Sequence, residues 1–455
     1  MISGRKLELQ TLENYYARRE SGIIVLYGQK DTGKLSLLKQ FCRNKDVFYY
    51  LARPCSEKEQ LLQFSTELKE ELPVNTPISE SYAGLLAALL SLGTEKKIII
   101  IDEFQQMIKY SPSFMKELLR TAYEKSSVRS VLFFLCSSSV YWVENAMVGC
   151  LKETAYEITG LLKIGELKFS ELTKNYKKYS VKSRLETYAV LGGLPGLWQY
   201  WDGAKTVAEN ICDGPLNKGS YLHEAGLHLL PEEVREPVVY NTILLALASG
   251  KRKLNELHAH TGFDRAKISV YLKNLIELSI VEKVTSVETA GRGHSQKGIY
   301  RISNHFVHFW FRYVFARLSR LQMMSAEKFY RKYIEPSFRV YTAEYFVEVC
   351  MEYLRMMNRE DRLEFKFTQI GSWVGKFGRI DIAARDENGR VLLGCCVWEQ
   401  GLLALQDYEQ LLSLAKQAGL NADACYLFSS DGFDKLLSAK AKTEKTIHLI
   451  DSTRL

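Results

Sequence analysis

The 455-residue sequence lacks any uninterrupted apolar run long enough to span a bilayer, and residues 1–15 are too polar for a secretory signal. We therefore expect a cytoplasmic protein with no membrane partner. Its nine cysteines form no CxxC pair and have no nearby histidine, so we expect reduced thiols and no zinc site. Low-complexity segments are also absent, and the 46% hydrophobic content predicts a folded chain of about two to four domains.

A strand, a glycine-rich loop and a helix follow one another near the N-terminus. Residues 22–28 form an apolar run typical of a buried parallel strand, and residues 34–41 are predicted to be helical. In such a unit the glycines let backbone N–H groups converge on phosphate oxygens, and the lysine reaches the outer phosphates. The sequence therefore predicts a P-loop that binds ATP, formed by Gly28, Gln29, Lys30, Asp31, Thr32, Gly33, Lys34 and Leu35.

The position after the P-loop lysine departs from the usual pattern. It holds Leu35, where a serine or threonine normally ligates Mg²⁺. Ser36 follows, but one step along a helix turns a side chain by about 100°, so its hydroxyl does not simply replace that ligand. Thr32, inside the loop, is an alternative substitute. Because a metal ligand is missing, we expect ATP hydrolysis to be slow or impaired.

The second half of the predicted site follows an isoleucine-rich strand. Residues 97–102 include four consecutive isoleucines, the pattern of a strand buried on both faces, and end in Asp102. Asp102 is predicted to orient Mg²⁺ or its bound water, and Glu103 to polarise the attacking water. Ser138 follows a third hydrophobic strand, at the sheet edge where ligands bind, and is a candidate sensor of the γ-phosphate. Strand-end caps and a plain serine-rich turn are the structural alternatives.

Together these motifs resemble those of the archaeal-type ATPases, a family in which an ATPase domain of the STAND and AAA+ type precedes a poorly characterised C-terminal domain. The resemblance also rests on the segment around Arg5, on residues 49–53 and on the Gly-Gly-Leu-Pro box that ends at Pro195. It implies that the Arg5 segment packs near the adenine and that Pro195 marks a helix end closing over the nucleotide, although Gly-Gly-x-Pro is also a simple helix stop. Residues 151–154 hold no arginine where the family usually carries one.

Residues 237–302 have the pattern of a winged helix, with three helices, the third over 264–278, followed by two wing strands. A net charge of +8 is compatible with a nucleic-acid partner, so DNA is one candidate. The alternative is a protein-interaction or lid module inside the ATPase. The candidate DNA contacts are basic or polar residues of the third helix and the wing: Arg265, Lys267, Ser269, Lys273, Arg292 and Lys297.

From residue 341 onward the chain resembles a restriction-endonuclease-like domain of the PD-(D/E)xK type. The resemblance places a carboxylate at Asp381 and a Glu-x-Lys on the next strand, but that strand carries Cys395, Cys396 and Val397 instead. Strand alternation puts Glu399 on the face of Cys395, where it is a conceivable substitute ligand. We expect Asp381 to be a structural relic and nuclease activity to be lost.

These observations predict an α/β chain: a P-loop NTPase with a parallel sheet and a helical lid, then a winged helix and a C-terminal α/β restriction-endonuclease-like domain. The predicted boundaries are 1–160 for the ATPase core, 161–236 for the lid, 237–315 for the winged helix with an aromatic linker, and 316–455 for the nuclease-like domain. We expect a nucleotide-dependent conformational switch that uses ATP and Mg²⁺ and acts on an unknown protein partner. The alternatives are a DNA-binding regulator and a non-hydrolysing, nucleotide-bound scaffold.

Overall fold

The computed structural model describes residues 4–71, 81–91, 96–111, 113–124, 130–176, 178–230, 234–285, 298–375 and 378–455. The chain divides into two compact units. The first comprises the chain up to Leu167 together with Leu194–Gly196, and the second comprises Lys168–Gly193 and Leu197–Leu455. Over the described residues, none of the helices combines the length and the apolar character that crossing a membrane requires.

The first unit alternates strands and helices. In chain order its elements are α1 (Lys6–Ala17), β1 (Gly22–Tyr27), α2 (Lys34–Phe41), β2 (Asp46–Leu51), α3 (Glu57–Glu71), α4 (Tyr82–Leu90), β3 (Lys97–Asp102), α5 (Phe104–Tyr110), α6 (Phe114–Glu124), β4 (Val131–Ser137), α7 (Met147–Leu151) and β5 (Gly160–Lys163). The strand and helix predicted on either side of the P-loop are both present, with the helix over the predicted residues.

The strands described in this unit form one parallel sheet in the order β2-β3-β4-β1-β5. The central strands β3, β4 and β1 are buried almost throughout, because runs of isoleucine, valine, leucine and phenylalanine pack against helices on both faces. On one face α2 contributes Leu38 and Phe41 to the core, and on the other face Phe64, Leu85 and Phe114 come from α3, α4 and α6. The predicted parallel-sheet P-loop fold is therefore confirmed.

The second unit begins with short helices and a winged helix. Its first elements are α8 (Phe169–Leu172), α9 (Val181–Leu191), α10 (Pro195–Trp198, which starts in the first unit), α11 (Val207–Asp213), α12 (Tyr221–Leu227), α13 (Pro237–Ala248), α14 (Leu254–Thr261), α15 (Arg265–Glu277), β6 (Val281–Thr285) and β7 (Gly298–Ile302). Helices α13 to α15 and the antiparallel β6–β7 pair form the predicted winged helix. Candidate DNA contacts Arg292 and Lys297 lie outside the described residues.

The remainder of this unit is a helical stretch followed by a second α/β sheet. Its elements are α16 (His305–Phe309), α17 (Leu318–Gln322), α18 (Ala326–Phe329), α19 (Glu335–Arg359), β8 (Gln369–Gly375), β9 (Gly378–Arg385), β10 (Val391–Val397), α20 (Leu405–Gln417), β11 (Ala424–Ser429), α21 (Lys435–Thr443) and β12 (Ile447–Asp451). The sheet order is β12-β11-β10-β9-β8, antiparallel from β8 to β10 and parallel from β10 to β12.

Candidate nucleotide site

The P-loop lies at the sheet edge where the carboxyl ends of the parallel strands meet. Gly28 follows β1, and its N–H donates to the carbonyl of Ser137 at 3.2 Å. A Cβ atom on Gly28 would lie 2.1 Å from the carbonyl oxygen of Ile164, so only glycine fits there. Asp31 and Gly33 both have left-handed backbones, with φ of 65° and 86°. The loop is therefore tightly folded before α2 begins at Lys34.

The first turn of α2 offers backbone donors to an anion. Gly33 precedes the helix and has no side chain with which to cap it. The first N–H groups of an α-helix have no helical acceptor and point out of its N-terminal end, which here faces the loop. Backbone donors at such a helix start are the usual means of holding phosphate oxygens. The described geometry of the loop thus suits the phosphates of a nucleotide.

Lys34 connects the two halves of the site. Its Nζ donates to the carbonyl oxygens of Gly28 at 2.7 Å and Gln29 at 3.0 Å. Burial lowers the pKa of Lys34 from its usual value, and the charges of Glu103 and Asp102 oppose that shift. The structure therefore brings the P-loop lysine and both predicted acidic residues into one electrostatic environment.

Asp102 is held at the end of β3 by two donors. Its Oδ2 accepts a hydrogen bond from the Tyr49 hydroxyl at 2.8 Å, and its Oδ1 accepts from the backbone N–H of Glu103 at 3.0 Å. Burial raises the pKa of Asp102, whereas the hydrogen bonds from Tyr49 and Glu103 act in the opposite direction. Tyr49 was not among the predicted site residues, because only the adjacency of β2 and β3 reveals this contact.

Glu103 contacts Ser138, the predicted phosphate sensor. The Glu103 Oε2 atom accepts from the Ser138 hydroxyl at 2.8 Å and from its N–H at 3.3 Å, and the Gln105 amide donates to the same oxygen. Glu103 itself has a left-handed backbone with φ of 51°. The carboxylate is thus restrained by two neighbouring polar side chains, and Gln105 was not predicted as part of the site.

Arg5 fastens the P-loop to the segment after β5. Its Nη2 atom donates to the carbonyl oxygens of Thr32 at 2.8 Å and Gly165 at 2.6 Å, while Nη1 pairs with Glu8 at 2.8 Å. The side chain is almost fully buried. The predicted Arg5 segment therefore lies against the loop, and the guanidinium holds its backbone in place.

Pro195 and Gly196 also lie on the P-loop. The Gly196 N–H donates to the carbonyl of Asp31 at 2.8 Å, and a Cβ on Gly33 would lie 3.5 Å from Cγ of Pro195. Together with Leu194 these residues belong to the first unit, although the chain on both sides of them belongs to the second. The Gly-Gly-Leu-Pro box thus places a short strap of chain, Leu194–Gly196, directly on the predicted phosphate loop.

The hydroxyl groups near the P-loop do not occupy the position of the missing ligand. Leu35 is 37% exposed, and Ser36 is exposed next to it. Thr32 is buried and donates its hydroxyl to the carbonyl of Gln29 at 2.8 Å, which commits it to the loop itself. Lys30 is exposed at the loop tip. Asp102 and Glu103, at the end of β3, are the carboxylates that the sequence predicts for this site.

These residues fit a bound Mg²⁺ ion. Among the described residues there is no group of three or more histidine, cysteine or acidic side chains that would hold a metal unaided. Mg²⁺ in nucleotide sites, however, is usually held by one or two carboxylates together with water and substrate phosphates. Asp102, with Lys34 beside it, supplies a carboxylate of that kind.

The candidate DNA contacts of α15 fall on two faces. Arg265, Ser269 and Lys273 are exposed at four-residue spacing and so share one face of the helix. The Ser269 hydroxyl donates to the carbonyl of Arg265 at 2.8 Å. The Nζ of Lys267 instead lies 5.3 Å from the ring centroid of Phe263, in a cation–π contact. The structure therefore brings three of the predicted residues together and separates Lys267 from them.

The nuclease-like residues of the tail are only partly brought together. Asp381 lies on β9, where its Oδ2 accepts from the backbone N–H of Cys396 at 3.1 Å and its Oδ1 lies 3.7 Å from Nε of Arg379. The strand alternation from which Glu399 was predicted to share the face of Cys395 does not reach that residue. Strand β10 ends at Val397, and Glu399 has a left-handed backbone with φ of 48°, so strand alternation does not extend to it. Its carboxylate instead pairs with a lysine of α9, Lys182.

The parallel sheet of the first unit and the loop between β1 and α2 have the arrangement of a P-loop ATPase fold. Residues 3–199 match the family model of the ATPase domain predominantly from Archaea. Residues 241–283 match the family model described as bacterial regulatory protein, arsR family. Residues 310–411 match a family model of archaeal and bacterial proteins of unknown function. The first match supports an ATP-binding ATPase domain, and the second a helix-turn-helix. None of the three models describes a restriction endonuclease, so that resemblance is not confirmed.

Two relatives from Methanocaldococcus jannaschii are similar to this chain. An uncharacterized protein is 28% identical over 396 residues, which are 86% of this chain and 86% of that protein. An uncharacterized ATP-binding protein is 38% identical over 47 residues, which are 10% of this chain and 80% of that protein.

Two solved structures resemble this chain at low identity. The Walker-type ATPase of Pyrococcus abyssi has a TM-score of 0.48 and 18% identity, covering 68% of this chain and 96% of that one. The ORC2 protein of Aeropyrum pernix, in ADPNP–ADP complexes, has a TM-score of 0.46 and 17% identity, covering 70% and 94%.

Proposed function

We propose that this protein is an ATP-dependent conformational switch of the STAND and AAA+ type, in which nucleotide at the P-loop controls the second unit through the Leu194–Gly196 strap. The observation that carries the proposal is the hydrogen bond from Gly196 to Asp31. A change in the P-loop on phosphate binding alters this contact, and the covalent chain passes the change to α9 on one side and to the end of α10 on the other.

Nucleotide recognition follows from groups already aimed at the loop. The N–H groups at the start of α2 receive phosphate oxygens, and Lys34 exchanges its two loop carbonyls for the outer phosphates. Arg5 keeps the loop backbone fixed through the carbonyl of Thr32. We assign adenine packing to the Arg5 segment and closure over the nucleotide to the strap at Pro195.

Hydrolysis requires Glu103 to leave its present partners. Its carboxylate accepts from Ser138 and Gln105, so it must turn toward a water to act as a general base. Ser138 is placed to report the γ-phosphate, because the same hydroxyl restrains the base. Mg²⁺, when bound, neutralises charge on the phosphates. Asp102 would hold the ion, and the absence of a hydroxyl at position 35 makes turnover slow.

Two contacts join α9 to later parts of the second unit. The carbonyl of Tyr188 accepts a hydrogen bond from Nδ1 of His305 at 2.8 Å, which joins α9 to α16 after the winged helix. At the other end of α9, Lys182 pairs with Glu399 beyond β10. We propose that α9, in the predicted lid (161–236), transmits the nucleotide state to the winged helix (237–315) and to the tail (316–455). The ATPase core (1–160) is the sensing element.

A specific observation favours a second function, binding to DNA. Arg265, Ser269 and Lys273 lie exposed on one face of α15, the helix that enters the major groove in winged-helix proteins. Cationic side chains on such a face contact phosphates or base edges. In this alternative the protein is a DNA-binding regulator, and the nucleotide state of its ATPase domain adjusts the affinity of the winged helix for DNA.

The tail also supports a proposal of its own. The tail follows the element order α19-β8-β9-β10-α20-β11, in which β8 to β10 are antiparallel and β11 pairs in parallel with β10. This order resembles the core of PD-(D/E)xK nucleases. Asp381 accepts a hydrogen bond from the N–H of Cys396, and the neighbouring strand carries Cys395 and Val397 where such nucleases place glutamate and lysine. We propose a degenerate, non-cleaving domain that serves in packing or partner binding.

Calorimetric titration tests the nucleotide site. ATP and ADP are titrated with and without Mg²⁺ into the wild type, Lys34→Ala and a control, Lys39→Ala, which removes an exposed lysine of the same helix. Binding to the wild type and the control that is lost in Lys34→Ala supports the proposal. No binding to the wild type would identify a scaffold built on an ATPase fold, and binding without phosphate release would identify the non-hydrolysing alternative.

A further inference from the structure

The contact between Tyr49 and Asp102 crosses from one strand to its neighbour. Strands β2 and β3 are parallel with Tyr49 opposite Ile100, so the Tyr49, Ile100 and Asp102 side chains lie on the same face of the sheet. That face also packs against α2, the helix that follows the P-loop. The tyrosine hydroxyl therefore reaches the carboxylate from the side on which the nucleotide site lies.

We propose that Tyr49 is a positioning residue for the divalent cation, acting through Asp102. The inference rests on the proposed ATPase function and deepens it. With Oδ2 held by the Tyr49 hydroxyl and Oδ1 by the Glu103 N–H, the plane of the carboxylate is fixed from both sides. Each oxygen keeps a lone pair for the cation or its water, because a carboxylate offers about four acceptor positions.

Leu35 makes this positioning more important in this chain. Where the P-loop supplies a hydroxyl, the cation has a ligand from α2 as well as a carboxylate. Here position 35 is apolar and Thr32 is committed to the carbonyl of Gln29, so orientation of the cation falls on Asp102. Removing a group that orients a metal-binding side chain typically weakens metal affinity by roughly 10- to 100-fold.

The alternative is that Tyr49 only fastens β2 to β3. The adjacent tyrosine on the same strand provides a matched control for that role. Tyr50 points to the opposite face of the sheet and is fully buried. Its hydroxyl donates to Oε1 of Gln60 at 2.6 Å and not to Asp102. Tyr50→Phe thus removes a hydroxyl and a hydrogen bond from the same strand without touching the metal carboxylate.

The experiment measures the Mg²⁺ dependence of nucleotide binding in the full chain. ATP is titrated calorimetrically at a series of Mg²⁺ concentrations, and ADP in excess EDTA, into wild type, Tyr49→Phe and Tyr50→Phe. We expect Tyr49→Phe to raise the half-saturating Mg²⁺ concentration by about tenfold or more, with ADP affinity in EDTA unchanged. Tyr50→Phe is expected to leave both quantities at wild-type values even if it lowers the melting temperature.

A second variant tests the same role from the P-loop side of the site. Leu35→Thr restores a hydroxyl at the usual ligand position, and we expect it to lower the half-saturating Mg²⁺ concentration and to reduce the effect of Tyr49→Phe in the double variant. Equal Mg²⁺ dependence in wild type and Tyr49→Phe, or ATP binding that ignores Mg²⁺ in the wild type, overturns the positioning role alone. Failure of the wild type to bind either nucleotide overturns the proposed function itself.

Discussion

The backbone N–H of Gly196 donates to the carbonyl oxygen of Asp31 at 2.8 Å. A Cβ atom at position 196 would lie 2.6 Å from Oδ1 of Asp31 and 2.7 Å from its Cα, so the close approach requires glycine. Asp31 is itself in a left-handed conformation in the middle of the phosphate loop. This backbone contact links the loop that receives the nucleotide to the strap that leads into the second unit.

Gly196→Ala is expected to uncouple the strap from the P-loop. The added methyl group meets Asp31 at less than contact distance, and overpacking of this kind costs about 1–3 kcal/mol. We expect ATP to bind about tenfold or more weakly, measured calorimetrically, because the loop loses a supporting contact. Gly149→Ala is the control, since a Cβ there meets nothing within 4 Å. Wild-type affinity in Gly196→Ala would show that the strap does not support the loop.

Glu103→Gln separates nucleotide binding from hydrolysis. The amide preserves the size of the side chain but cannot accept a proton from water, so we expect phosphate release to fall by about 100-fold or more while ATP affinity is retained. Ser138→Ala removes a restraint on the carboxylate at 2.8 Å and is expected to change the rate without abolishing it. Equal phosphate release by wild type and Glu103→Gln would remove Glu103 from the reaction.

The winged helix is tested by the salt dependence of DNA binding. Under the DNA-binding alternative, Arg265→Ala and Lys273→Ala should each weaken binding and reduce the slope of log affinity against log salt by about one, since each would remove a proposed phosphate contact. Lys267→Ala serves as the control, because that side chain lies over the ring of Phe263. A gel-shift titration measures all three. Weak binding with no salt dependence in the wild type would favour a protein-interaction module.

Acid sensitivity of the second unit is predicted from two groups near α16. Burial, reinforced by the charge of His305, lowers the pKa of His308 to about 3. Although burial raises the pKa of Glu348, the charges of His305 and Arg301 hold it at about 2. Both folded-state values lie below those of the unfolded chain, about 6.5 and 4.3, so protons bind the unfolded state first. The contribution of both groups to the free energy of unfolding is therefore complete near pH 7. It is lost as the pH falls toward 3 for His308 and toward 2 for Glu348.

The measurement for this prediction is urea unfolding of the full chain between pH 7 and pH 4. Each group contributes at most about 1.4 kcal/mol per pH unit within its window. His308→Gln keeps a polar partner for Tyr345, whose hydroxyl lies 2.7 Å from Nδ1 of His308, but it cannot titrate. We expect it to flatten the pH dependence above pH 4.5, whereas His228→Gln, at an exposed histidine, should not. Unchanged slopes in His308→Gln would contradict the assignment.

The strands and the phosphate loop were predictable because their signals are local. The isoleucines of β3 and the apolar run of β1 are long enough to identify buried parallel strands, and the spacing from Gly28 to Lys34 identifies the loop between strand and helix. The three helices of the winged helix likewise follow from hydrophobic periodicity and from the turn at Gly262, which has φ of 72°.

The contacts that complete the site depend on tertiary arrangement. Tyr49 reaches Asp102 only because β2 pairs with β3, and Gln105 reaches Glu103 because a left-handed residue turns the chain into α5. For Glu399 a local rule misleads, because the alternation of side chains between the two faces of a strand stops where β10 ends, at Val397. Neither strand order nor a backbone break of this kind is encoded in a short motif.

Hydrogen–deuterium exchange of the full chain tests the central claim most directly. Backbone exchange across α9 and α10 is compared without nucleotide, with ATP and with ADP, in wild type and Lys34→Ala. We predict that ATP changes exchange in the P-loop and in α9 of the wild type and changes neither in Lys34→Ala. Tight ATP binding with protection of the P-loop but unchanged exchange throughout α9 would contradict a switch that works through the strap.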